Sequence, residues 1–148
     1  MIAVPDDAYE TYLATDVYKE IPLQITKEGS ILKEVTLEAD NATSKLLQKI
    51  GEEEVKYVVN LKVTGSINSY DMLIIRNQMP SLRNLDLTDA SIVDCDYVYS
   101  NANGTNYKSQ KDVVTGEWLK KVMNVKLPAT ATAIGDRAFC NNASLVSV

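Results

Sequence analysis

Histidine is wholly absent from this chain of 148 residues. That excludes a Ser-His-Asp triad, a Cys-His dyad and any histidine-ligated metal within it. It also removes the usual general base of neutral pH, so catalysis here would fall to carboxylates, Lys, Tyr or Cys. Cysteine is scarce: Cys95 and Cys140 are the two present, fit no CxxC spacing and cannot make a zinc site alone. Sequence leaves them either free or joined in one disulfide, because a bridge depends on a Cα separation of roughly 4.4–6.8 Å. Basic runs are scarce too. The chain has 20 acidic and 15 basic residues, a net charge of −5, and its densest basic spot is the pair Lys120-Lys121. No block of cations exists to displace counterions from a nucleic-acid backbone. No apolar run approaches the roughly 20 residues of a membrane-spanning helix. Met1-Ile2-Ala3-Val4 leads straight into Pro5-Asp6-Asp7, without the form of a secretory leader. The expectation is a cytosolic chain, or a secreted one read without its leader.

What is present is apolar material at 45 %, enough for the core of one domain and too much for disorder. Asp6 or Asp7 predicts a short helix over 8–14, with Tyr9, Tyr12 and Leu13 at helical spacing. Residues 16–27 read as extended, and Gly29-Ser30 as a turn. Alternation over 31–39 predicts a strand with Leu32, Val35, Leu37 and Ala39 mostly on one face. Asn41 or Thr43 is expected to cap a helix over 44–50 that Gly51 closes. Residues 55–64 are β-rich. Ser69 or Asp71 opens a second helix that Pro80 stops. Leu85–Leu87 is a short strand. Residues 93–116 break the pattern as a polar insertion whose Asn103-Gly104 predicts a hairpin tip.

Four segments repeat: Asn60-Leu61-Lys62-Val63, Asn84-Leu85-Asp86-Leu87, Asn124-Val125-Lys126-Leu127 and the shortened Ser147-Val148. The middle interval is one unit lengthened by the polar insertion. Stacked as parallel strands, they would send Leu61, Leu85, Val125 and Val148 into a shared core, with Val63, Leu87 and Leu127 as a second column. Asn60, Lys62, Asn84, Asp86, Asn124 and Lys126 would face outward.

Leu127-Pro128, Ile134-Gly135, Ala138-Phe139 and the strand Leu145-Val146-Ser147-Val148 together resemble the BspA-like leucine-rich repeat family. The stretch from Leu82 to Val93 is similar to the unit that often precedes such arrays. Asn142 stands where the family often has Cys, and around Gly116-Glu117-Trp118-Leu119 either Trp118 or Leu119 takes the place of the buried Phe. The resemblance implies an α/β fold: a short leucine-rich-repeat solenoid with parallel strands and short helices. Residues 1–40 would form a small N-terminal segment capping it, and residues 41–148 would carry the repeats, with the insertion at about 93–116. In that motif Ile134 and Phe139 are expected inside, Ala138 at a close backbone approach, Gly135 at a positive-φ turn and Pro128 at the end of a strand.

The resemblance also implies an extracellular or outer-membrane-anchored bacterial protein, similar to adhesins. The missing histidines and the lack of a convergent carboxylate pair weigh against an enzyme, and neither a cofactor nor a metal is expected. The chain's partner would be a host matrix or bacterial surface protein. A structural spacer or assembly domain and a glycan-binding accessory domain are the alternatives, and self-association through exposed strand edges is a further expectation. The residues singled out for partner binding are Lys62, Asp86 and Lys126 on the strand face and Tyr97, Tyr99 and Tyr107 in the insertion, where aromatics sit among small polar residues. Asp89, Asp94 and Asp96 lack the spacing of an EF-hand loop and read as a solvated turn. Glu52-Glu53-Glu54 reads as a solvated connector, since neighbours in a run cannot face each other across a glycosidic bond. The patterns Asn41-Ala42-Thr43, Asn103-Gly104-Thr105 and Asn142-Ala143-Ser144 fit N-glycosylation, but by chance in a bacterial protein.

Overall fold

The computed structural model describes residues 2–6, 25–27 and 32–148. The helix expected over 8–14 and the turn at Gly29-Ser30 lie outside the described residues. Strand β1 (Ile2–Val4) pairs in parallel with β2 (Ile25–Lys27). The main sheet begins at β3 (Leu32–Leu37), followed by helix α1 (Lys45–Ile50), strand β4 (Asn60–Ile67), helix α2 (Ser69–Gln78) and strands β5 (Asn84–Asp86) and β6 (Ala90–Ile92). An insertion hairpin follows, β7 (Ser100–Ala102) and β8 (Thr105–Tyr107), and then β9 (Val113–Val114), β10 (Asn124–Lys126) and β11 (Ala133–Ile134). The fold is α/β: β10, β5, β4 and β3 lie side by side, all parallel, and β6 pairs with the far half of β4.

The register matches the repeated segments. Leu61 pairs with Leu85 and Leu85 with Val125, and each is about 2 % exposed. Val63 and Leu87 are fully buried, and Leu127 is half-buried. Alternation puts these side chains on one face, where Leu46 and Ile50 of α1 and Met72, Ile74 and Ile75 of α2 complete the core. Val148 departs from the expectation. It lies one residue beyond Ser147, which bridges to Asn124, but it is 61 % exposed because no described element covers that edge of the sheet. Leu32 departs too. It falls on the solvent face opposite Leu37 and is 64 % exposed, because residues one apart in a strand point oppositely.

The helix ends differ by a residue or two from the sequence reading. Ser44, not Asn41 or Thr43, caps α1, its hydroxyl accepting from the Leu47 N–H, and Gly51 closes the helix. Asn68 caps α2 in a reciprocal box with Asp71. Asp71 reaches further: its buried carboxylate also accepts from the Ser44 hydroxyl at 2.8 Å and the Leu46 N–H at 2.9 Å, so one side chain ties both helix starts together. Gly65 sits in β4 at φ +83, and a Cβ there would run into the Leu37 carbonyl, so only glycine lets β3 and β4 pair at that point. At the expected hairpin tip Asn103 and Gly104 both take positive φ, as a two-residue turn of this kind requires.

In the C-terminal motif, Trp118 and Leu119 are both fully buried and Ala138 is buried, but Phe139 is only partly so. Ile134, expected inside, is 59 % exposed because β11 pairs with β9 alone. Gly135 is not at positive φ; its lack of a side chain instead admits Thr115. Both cysteines are free. Among the described residues no helix is long and apolar enough to cross a membrane.

Candidate functional site

The solvent face of the main sheet is built from the residues that alternate with the core columns. Parallel register arranges them in rows across the strands, about 4.8 Å apart from strand to strand. The first row is an amide ladder. Asn84 donates to the Asn60 side-chain oxygen at 2.5 Å, Asn124 donates to that of Asn84 at 2.6 Å, and the Ser147 hydroxyl donates to that of Asn124 at 2.8 Å. The second row alternates in charge, because Glu34, Lys62, Asp86 and Lys126 are successive register partners. Lys62 pairs with Glu34 at 3.5 Å and with Asp89 at 3.4 Å, and Lys126 pairs with Asp86 at 3.0 Å. A third, shorter row is the hydroxyl pair Thr36–Thr64 at 2.8 Å.

Between the amide row and the charged row runs a groove of about 340 Å³, lined by Asn60, Lys62, Asn84, Asp86, Asn124 and Lys126 among others. Two of its charged groups are held in their charged forms by their neighbours. The Asp86 carboxyl is held down at about 2 by the Thr88 backbone N–H and hydroxyl, with Lys126 adding to the effect. The Lys62 ammonium is raised above its ordinary range by hydrogen bonding to Asp89 and by the nearby Glu34. The charged and amide groups lining this groove offer hydrogen-bond donors and acceptors of both signs.

Lys62, Asp86 and Lys126 are therefore brought together as expected of a shared face, and Glu34 joins them. Glu34 was missed in the sequence, although its place in the alternating stretch over 31–39 was the available signal. The insertion behaves otherwise. Tyr99 and Tyr107 are 3 % and 5 % exposed, so neither is presented to a partner. The Tyr99 hydroxyl donates to the Thr115 carbonyl and the Tyr107 hydroxyl to the Asp136 carboxylate. They pack around Gly116, where any Cβ would strike the Tyr99 hydroxyl and the base of the Tyr107 ring. Tyr97 remains at the surface, 39 % exposed and stacked on Tyr70 with ring centres 4.3 Å apart. Reciprocal bonds between Ser69 and Ser109 fasten the insertion to the start of α2.

The acidic turn is not a metal cage. Asp89 pairs with Lys62, Asp96 with Lys108 at 2.6 Å, and Asp94 accepts from the Lys111 N–H. Among the described residues no cluster of three His, Cys, Asp or Glu could hold a metal ion. Glu53 and Glu54 of the connector are engaged with Lys56 and Lys33. A buried group that sequence reasoning passed over is Glu117, which binds Arg137 and stands 3.9 Å from Arg76. Compared with known proteins, the chain matches no family model and no curated sequence.

Proposed function

We propose that this chain is a non-catalytic recognition module of a cell surface that binds a protein partner through the groove on its parallel sheet. In this reading the stacked Asn-apolar-charged segments form a short leucine-rich-repeat solenoid like those of the BspA-like family, and the module acts as an adhesin does. The observation that carries it is the shared register of Lys62, Asp86 and Lys126 beside the amide ladder, which concentrates charge and polar hydrogen-bonding groups in one groove. Charge arranged in this way contributes specificity and association rate more than raw affinity. A spacer or assembly domain is the second reading, favoured by the exposed Val146 and Val148 beside the edge strand β10.

The test is to immobilise the chain and probe it with host matrix proteins, mucins and a glycan panel. A saturable protein ligand is expected. Its affinity should fall about tenfold or more in the double variant Asp86→Ala, Lys126→Ala, the size of loss that a pair of central polar contacts gives. Retention of full affinity in that variant would remove the groove from the proposal. A ligand found only among the glycans and lost in Tyr97→Ala would move the site to the Tyr70–Tyr97 stack.

A further inference from the structure

The charged row has an even number of members and strictly alternates, Glu34, Lys62, Asp86, Lys126. Such a row is its own complement when reversed. Two sheets laid face to face about a twofold axis parallel to the strands keep strand direction but reverse the order across the strands. Lys126 of each copy then meets Glu34 of the other, and Lys62 meets Asp86. The axis runs between β4 and β5, so the same operation sets Asn60 against Asn84 of the other copy, amide against amide, and Asn124 against Leu32. From this geometry we infer that the groove face is self-complementary and that a second copy of this chain docks on it as a twofold dimer. The inference rests on reading that face as the recognition surface, and it names the partner as the chain itself.

Three observations favour a second copy over other occupants. The charge complementarity spans all four strands under one symmetry operation, and twofold pairs are the commonest closed assembly. The two outermost charges, Glu34 and Lys126, are also the most exposed of the row, at 65 % and 73 %, so each has capacity left beyond its neighbour in the chain. The polar face carries few apolar groups, as expected of a contact that forms and separates. Its size points the same way. Four strands by three rows span about 14 Å by about 14 Å, well short of the roughly 800 Å² per partner of a stable interface. The dimer is therefore weak and electrostatic, and it covers the groove when it forms.

Sedimentation velocity on the full chain, from micromolar to near-millimolar concentration, tests this. Association is expected at about 0.02 M salt and should weaken about tenfold or more at about 0.5 M, where the screening length shrinks to a few ångströms. Lys126→Glu alone and Glu34→Lys alone should each weaken the dimer about tenfold, because the twofold axis repeats each fault. The double variant Glu34→Lys, Lys126→Glu should restore it to within about threefold, since the reversed row is complementary again. That rescue is specific: within one chain the double variant sets like charges beside Lys62 and beside Asp86, so a purely internal role predicts the double to be the worst of the three. Thermal melts confirm that each variant is folded. A monomer at every concentration in low salt overturns the inference, as does a dimer that the double variant fails to restore. Neither result depends on the ligand panel. A panel ligand lost in the groove variant while the chain stays monomeric would keep the proposed function and remove the second copy as partner.

Discussion

Tyr99 and Tyr107 show how a residue type can suggest one role and its surroundings impose another. In the sequence they belong to an Asn-, Ser- and Gly-rich insertion, the composition of a recognition loop. In the fold they are the insertion's own core. Each ring is buried and each hydroxyl donates to an acceptor in a later segment, Thr115 or Asp136. Replacing either by alanine should cost about 3–4 kcal/mol, the range for deleting a buried ring. Tyr107→Phe, which removes only the hydroxyl and leaves the Asp136 carboxylate without that donor, should cost about 1–2 kcal/mol. Tyr97→Ala, at a side chain 39 % exposed, should cost under about 1 kcal/mol. Urea titrations of the four variants give the comparison. Equal losses at Tyr97 and Tyr107 would refute the assignment of one to the surface and the other to the core.

At the scale of elements, Asp71 joins two helices that the sequence presents as separate. Its carboxylate closes the capping box of α2 and also accepts from Ser44 and Leu46 at the start of α1. Asp71→Ala strips partners from several buried donors at once and should cost about 3 kcal/mol, whereas Ser44→Ala removes one cap and should cost about 1 kcal/mol. Chemical denaturation monitored by circular dichroism measures both, and equal costs would show that Asp71 serves α2 alone. The sequence reading starts this helix at Ser69 or Asp71 and passes over Asn68, although Asn68 and Asp71 have the three-residue spacing of a capping box. The 27-residue reach to Ser44 was not legible, because nothing local encodes it. The strands divide similarly. β4, β5 and β10 were legible because their Asn-apolar-charged pattern recurs, and the recurrence also sets their register and the groove. β6, β9 and β11 are two or three residues long. Such strands exist only through their partners, so no periodicity announces them. Ile134 and Leu32 were misplaced for a related reason. Their burial depended on what lies beside the strand, and apolar character alone does not supply that.

Over the whole molecule, the ionisable groups set a window of pH in which the fold is most stable. Asp40 and Asp86 both have carboxyls held down at about 2, Asp40 chiefly by Lys45 and Asp86 chiefly by the Thr88 N–H. Glu117 is lowered as well, by its bond to Arg137. Free carboxyls of the unfolded chain bind protons near pH 4. The unfolded state therefore takes up protons first as the solution is acidified, and stability that is fully present above about pH 4 is lost as pH falls toward about 2. The alkaline side has the opposite sign. Tyr107 is raised by its bond to Asp136 and Tyr99 by burial, so both stay protonated in the fold after the unfolded chain has released its phenolic protons near pH 10. Lys62 and Lys108, raised by Asp89 and Asp96, act in the same direction. Stability should thus form a plateau that declines below about pH 4 and above about pH 10. Two variants separate the limbs. Asp86→Asn should start less stable at neutral pH and lose less on acidification, leaving the alkaline decline unchanged. Tyr107→Phe should flatten the alkaline decline and leave the acid one. Urea midpoints measured across the range decide the matter: an Asp86→Asn curve that runs parallel to the parent down to about pH 2 would show that the groove carboxylate is no better held in the fold than in the open chain.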